Sequence, residues 1–197
     1  LWLGQCKVSF HSAGHVLGSA QIRLESKDEV WVVSGDYKRD HDPSCAPFEP
    51  IRCDVLITEA TFGMPIYRWS SGADVAREIR DWWQGDPTRP SLLFCYAFGK
   101  AQRLLAELKA IGVDDEVLLH GAVETVTRHY RSAEISMAPS RPVSALPRQD
   151  PLNGRLILAP PSAHRSSWMR RFKAPQTAFA SGWMAVRGAR RRRGYER

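Results

Sequence analysis

Ser91-Leu92-Leu93-Phe94-Cys95-Tyr96-Ala97-Phe98-Gly99-Lys100-Ala101-Gln102-Arg103-Leu104-Leu105 passes from an unbroken apolar run into an amphipathic pattern. The spacing predicts a strand over 91–97 and a helix over 100–111. The same alternation continues on both sides. Residues 73–83 read as a helix, 116–119 as a short strand, and 122–131 as a helix entered through His120-Gly121. A Pro-rich connection at 139–151 precedes a strand at 155–159 that stops at Pro160-Pro161, and 177–181 reads as one more strand. This βαβα order predicts an α/β fold with a parallel sheet and covering helices. No internal repeat is found.

The first third reads differently. Lys7-Val8-Ser9-Phe10 and Ala20-Gln21-Ile22-Arg23-Leu24 alternate as half-buried strands do. Val30-Trp31-Val32-Val33 is apolar at consecutive positions, which predicts a strand covered on both faces, and it runs into Ser34-Gly35-Asp36. After a loop at 40–50 rich in Pro and Asp, Val55-Leu56-Ile57 predicts another buried strand, ending in Thr58-Glu59. Two core strands are thus expected to deliver a carboxylate each at their C-terminal ends.

Composition bounds the function classes. Of 197 residues, 43% are hydrophobic and 25% charged, as in an ordinary globular chain. No window approaches the ~18 uninterrupted apolar residues that span a membrane. The opening Leu1-Trp2-Leu3-Gly4-Gln5-Cys6 has no Met, basic leader or small-residue cleavage site, so it reads as an internal cut rather than a signal peptide. Cys6, Cys45, Cys53 and Cys95 show no C-x-x-C spacing and read as reduced thiols of a cytoplasm. The net charge of +7 is local: ten bases and one acid from Arg165 onward carry +9, leaving −2 for the preceding 164 residues. A concentrated basic segment points to a polyanionic partner.

Chemistry is concentrated in Gly14-His15-Val16-Leu17-Gly18-Ser19-Ala20, a histidine between glycines before a strand. His11 and His15 are four apart, yet Ser12, Ala13 and Gly14 argue against a helix that would align them as zinc ligands. A loop histidine alone is more often an ordinary polar residue. Beside Asp36 and Glu59 at strand ends it gains weight, because a buried carboxylate needs a partner and a metal with imidazole ligands is one. The plain reading makes Asp36 a turn residue and Glu59 a surface acid. His41 in Asp40-His41-Asp42-Pro43 reads as a solvated turn, His120 as a helix cap or phosphate contact, His129 as a helix-face residue and His164 as a loop residue. Arg187, Arg190, Arg191, Arg192 and Arg193, with Trp183 upstream, suit a groove that tracks a nucleic-acid backbone, though four consecutive arginines also read as a nuclear targeting patch or a soluble tail; Lys100 opens a helix either as an anion site or as an ordinary helix start.

Taken together, these residues resemble the metallo-β-lactamase-fold nucleases with a β-CASP domain. The stretch 11–20 is similar to the family's third metal motif, Ser34-Gly35-Asp36-Tyr37 to its fourth, and Thr58-Glu59-Ala60-Thr61-Phe62-Gly63 to its first β-CASP motif. Cys45-Ala46-Pro47-Phe48-Glu49-Pro50, the stretch 94–103 and Ala180-Ser181-Gly182-Trp183-Met184 are similar to the bacterial DNA-ligase-associated exonuclease branch, whose members are described as mRNA 3′-end processing factors.

The resemblance implies a partial αββα sandwich over 1–66, the middle of a metallo-β-lactamase domain, and a β-CASP α/β domain over 67–197. It implies two divalent metal ions, zinc or manganese, with His15 ligating one and Asp36 bridging both, while Glu59 orients a later general-acid histidine. It also implies a cytoplasmic bacterial nuclease acting on DNA and associated with a DNA ligase, with no membrane partner. An RNA 3′-end processing nuclease and a non-catalytic nucleic-acid-binding module remain alternatives. The family's upstream His-x-His-x-Asp-His motif and its later Ser-Asp-His-Ala-Asp and Thr-His-Gly motifs do not occur in this sequence. The chain is therefore expected to be an internal piece, inactive by itself because two ligands cannot satisfy a dinuclear site.

Overall fold

The structure, a computed structural model, describes residues 1–182. They divide into two compact units, Leu1–Ile66 and a second beginning at Tyr67. The first is a five-stranded sheet of β1 (Trp2–Leu3), β2 (Cys6–Ser12), β3 (Ala20–Glu25), β4 (Val30–Val33) and β5 (Val55–Ile57), hydrogen-bonded in that order. Neighbours are antiparallel except β4 and β5, which are parallel.

Register follows the alternation in the sequence. The pairs Phe10–Ile22, Ile22–Val33 and Val33–Ile57, with Val8–Leu24, Leu24–Trp31 and Trp31–Val55, put eight apolar side chains on one face. Lys7, Ser9, His11, Gln21, Arg23 and Glu25 take the other, since successive side chains point to opposite faces. The apolar face is open: Phe10 is 66% and Ile57 50% exposed. β4 and β5 are consequently not the doubly covered core strands that their composition suggests. Only Val32 of β4 is buried, and Leu56 and Ile57 are both exposed. The physical reason is that this unit contains strands and loops but no helix to lay across the sheet.

The second unit meets the expectation of a parallel sheet. Its elements are α1 (Gly72–Gln84), β6 (Ser91–Phe94), α2 (Lys100–Ala110), β7 (Val117–Leu119), α3 (Gly121–Ser132), β8 (Ser140–Pro142), β9 (Leu156–Ala159) and β10 (Gln176–Phe179). The strand order is β10-β6-β9-β7-β8, parallel throughout. Every residue of β6, β7 and β9 is buried because alternate side chains serve two cores. Leu93, Leu119, Leu156 and Leu158 join Ile79, Trp83, Leu105, Leu108 and Val123 from the helices. Leu92, Phe94, Leu118 and Ile157 join Val143, Leu152 and Phe172 from irregular segments on the opposite face. Each such leucine contributes roughly 1.5–3 kcal/mol of burial.

Boundaries shift where local chemistry intervenes. β6 stops at Phe94 rather than at 97, because the chain turns through Gly99 at φ +76° and Ala101 N–H bonds back to the Tyr96 carbonyl. Ser71 caps α1 by accepting from Asp74 N–H at 3.1 Å. Inside the Pro-rich connection, Ser140–Pro142 adds an edge strand, a position that tolerates proline because one side needs no donor.

Candidate metal-ligand edge of the first sheet

β3 runs antiparallel to both β2 and β4, so β2, β4 and β5 all point the same way and end at one edge of the sheet. His15 follows β2, Asp36 follows β4, and Glu59 follows β5. The three sequence candidates therefore share an edge by topology. Of these, His15 and Asp36 meet: Nε2 of His15 is 3.9 Å from Oδ2 of Asp36, with both side chains substantially exposed. Glu59 is half-buried, and its Oε2 accepts from Thr61 N–H at 2.6 Å within the turn closed by Gly63 N–H to the Ala60 carbonyl. The expectation that Asp36 is a buried carboxylate in need of a counterion is not met; its side chain is 73% exposed.

The loop carrying His15 is held from several directions. The Ser19 hydroxyl oxygen accepts from the N–H groups of His15 and Val16, both at 3.1 Å, and Ala13 N–H donates to the Ser19 carbonyl. Lys38 N–H donates to the Ala13 carbonyl at 3.0 Å, which ties this loop to the one bearing Asp36. Gly14, at φ +67°, lies so close to that second loop that a Cβ would stand 2.4 Å from the Lys38 carbonyl oxygen. Here glycine is required for close backbone approach as well as for the left-handed conformation.

A polar network that sequence reading missed braces the same region. Asp42 is buried; it pairs with Lys38 and accepts from Ser44 N–H at 2.9 Å and the Ser44 hydroxyl at 2.6 Å. Burial alone would raise the Asp42 carboxyl, but the hydrogen bonds from Lys38 and Ser44 outweigh it and hold the group below the usual carboxylate range. The signal was Asp-Pro-Ser, an Asx-turn sequence. His11 is not a ligand partner of His15: its Nδ1 lies 2.7 Å from Glu49 Oε1 and its Nε2 3.0 Å from the Ser9 hydroxyl. Gln21, buried behind them, donates to the carbonyls of Ser12 and Glu49.

Among the described residues no group of three or more His, Cys, Asp or Glu side chains gathers as a metal cage. The pair nonetheless suits shared ligation. Tetrahedral ligands at about 2.0–2.2 Å from a zinc ion lie about 3.4 Å apart, so the observed 3.9 Å needs only a small side-chain adjustment. Imidazole nitrogen and carboxylate oxygen are both donors of the right class.

In the second unit, Lys100 is the first residue of α2 and half-buried. His120 is a cap: its Nδ1 accepts from Ala122 N–H at 3.0 Å, and burial against Trp168 lowers its pKa. His129 lies exposed on α3. His164 packs edge-on to Phe94 and Phe179, and burial, followed by the charge of Arg165, lowers its pKa. Arg187, Arg190, Arg191, Arg192 and Arg193 lie outside the described residues, as does Trp183.

A protein named "Probable DNA ligase" from Opitutus terrae is 31% identical over 188 residues, covering 93% of this chain and 18% of that protein. The cleavage and polyadenylation specificity factor subunit 3 of Dictyostelium discoideum is 29% identical over 137 residues, 64% of this chain and 16% of that one. Endoribonuclease ysh1 of Aspergillus fumigatus is 44% identical over 55 residues, 26% of this chain and 6% of its own. The chain is related to the metallo-β-lactamase-fold β-CASP nucleases. It spans less than a fifth of the length of these three relatives. No protein-family model matches it. Among solved structures, a protein of unknown function from Enterococcus faecalis V583 superposes with a TM-score of 0.54 at 11% identity, covering 92% of this chain and 54% of that one, a likeness of fold alone.

Proposed function

We propose that the intact protein is a metal-dependent nucleic-acid phosphodiesterase that degrades DNA exonucleolytically. The observation that carries this reading is the 3.9 Å approach of His15 Nε2 to Asp36 Oδ2 at an edge shared with Glu59. His15 and Asp36 would hold the metal, zinc by preference, together with ligands from outside these residues. A divalent ion bound there supplies a Lewis acid and a water acidified toward neutral pH.

Each residue's own part follows from its setting. The bonds from the His15 and Val16 N–H groups to Ser19 fix the loop that presents the His15 imidazole. Asp36 contributes negative charge on a loop tied to the first through Lys38 and Ala13. Glu59, with Oε2 engaged by Thr61 N–H, keeps Oε1 to orient a proton-donating histidine supplied from elsewhere in the protein. The open apolar face of the first sheet is the inner face of an αββα sandwich, where a second sheet would cover Phe10, Ile22, Trp31 and Ile57.

DNA is favoured because the ligase-named relative aligns over 93% of the chain, against 64% for the Dictyostelium polyadenylation factor. The second reading, RNA 3′-end processing, rests on the endoribonuclease names of the other relatives. The test is digestion of matched single-stranded DNA and RNA by the intact protein with zinc or manganese, beside its Asp36→Asn variant. DNA shortening that disappears in the variant, together with a fall in bound metal, is expected. A preference for RNA sinks the DNA assignment, and undiminished cleavage by the variant sinks the role of Asp36.

A further inference from the structure

We infer that the second unit carries a separate phosphate-backbone track at the N-terminal edge of its parallel sheet, the edge opposite to Lys100, His120 and His164. This inference rests on the nucleic-acid reading above and names a binding surface for the same substrate. An open groove of about 600 Å³ lies there, lined by Arg89, Arg148, Arg171, Lys173, Asp150 and Asn153 among others. Arg89 precedes β6, Asn153 precedes β9 and Lys173 precedes β10, so three adjacent strand starts contribute to it.

The walls are built before any ligand arrives. Asp86 accepts from Thr88 N–H, the Thr88 hydroxyl and Arg89 Nε, which fixes the turn before β6. Gly154 N–H donates to the Arg89 carbonyl at 3.1 Å, and Trp83 Nε1 donates to the Gly154 carbonyl at 2.8 Å. Arg171 Nη2 donates to the carbonyls of Leu146 and Pro147, both at 3.0 Å, which folds the third wall. The recognition elements thus sit on a preorganised frame, which lowers the entropic cost of binding.

Charge decides the ligand class. Arg89 is neutralised by Asp86 at 2.7 Å. Arg148 and Lys173 have no ion-pair partner among the described residues, and the Arg171 Nε is buried there without a hydrogen-bond partner. Against these three cations the groove offers one acid, Asp150, whose Oδ1 is taken by Leu152 N–H at 2.9 Å. A net positive groove with an amide at Asn153 and cations contributed from separate strand starts fits phosphates of a nucleic-acid strand, read by charge without base contacts.

The test is anisotropy of a fluorescein-labelled 20-nucleotide single-stranded DNA titrated with the 197-residue chain at 50–300 mM NaCl. The Arg148→Glu/Lys173→Glu pair is compared with Arg77→Glu/Arg128→Glu, which makes the same change in net charge on α1 and α3. Arg171 is left intact because it holds the Leu146 and Pro147 carbonyls. The groove variant should bind at least about tenfold more weakly at 100 mM salt. The slope of log affinity against log salt should shrink by about 1.4, for two lost phosphate contacts on a single strand. The charge-matched control should lose markedly less.

Equal losses in the two variants, an unchanged slope, or no DNA binding by the parent chain overturns the track. Competition by micromolar inorganic phosphate or a mononucleotide also overturns it, assigning the groove to a small anion. Circular dichroism melting of the groove variant should match the parent; if it unfolds, Arg148→Gln/Lys173→Gln carries the same comparison. Failure of the intact protein to cleave any nucleic acid would defeat the catalytic reading while leaving this binding contrast readable.

Discussion

Replacing Gly14 by alanine tests how the His15 loop is built. At φ +67° an alanine pays roughly 1–2 kcal/mol for the left-handed conformation. Its Cβ would also stand 2.4 Å from the Lys38 carbonyl oxygen and 2.7 Å from the Phe48 amide nitrogen. Both obstacles are backbone, which cannot swing aside as a flexible side chain does, so relief requires displacing the chain around 38–48. Overpacking of this kind costs about 1–3 kcal/mol more, for a total of about 2–5 kcal/mol. Gly18→Ala is the control: at φ +79° it carries the same conformational cost, yet nothing lies within 4 Å of the added carbon. It should lose only about 1–2 kcal/mol.

The assay is urea unfolding of both variants, with amide exchange measured on peptides covering 6–49 so that the first unit is followed by itself. Gly14→Ala should expose the amides of Ala13 and Lys38 far more than Gly18→Ala does, because Lys38 N–H is bonded to the Ala13 carbonyl. At the proposed metal site of the intact protein it should also lower the affinity for zinc, since the shift moves the loop of Asp36 away from that of His15. Equal losses in the two alanine variants would refute the close packing of these loops and the site geometry drawn from it.

Asp42 should make the first unit acid-sensitive. Its folded pKa lies below the unfolded one, so its stabilisation is complete above about pH 4 and disappears as pH falls through the folded value; Asp42→Asn should flatten acid unfolding in that range. His120→Ala should cost about 1 kcal/mol of α3 capping, most of it recovered by His120→Asn, as read from thermal melts. Because burial lowers the His120 pKa, the unfolded chain takes a proton first, and stability should decline as pH drops below about 6.5, a decline absent in His120→Asn. Cys95 is buried with its thiol pushed up to about 12, whereas Cys6, Cys45 and Cys53 are partly accessible; a thiol reagent should titrate three cysteines in the native chain and the fourth only after denaturation.

The alternation of strands and helices in the second unit was legible because fully buried parallel strands need consecutive apolar residues, as in Leu156 to Ala159, and helices need the 3.6-residue stripe. The same rule misled at Val55 to Ile57, where an apolar run is an exposed edge strand; composition reports how apolar a segment is and not whether anything covers it. Asp36 and Glu59 could be selected from sequence because each ends an apolar strand, and His15 because it sits between glycines just before one. That they share one edge depends on β3 returning antiparallel between β2 and β4, a long-range pairing no local pattern encodes. The 3.9 Å meeting of His15 and Asp36 and the cationic groove assembled from three separate strand starts likewise exist only once distant segments are brought side by side.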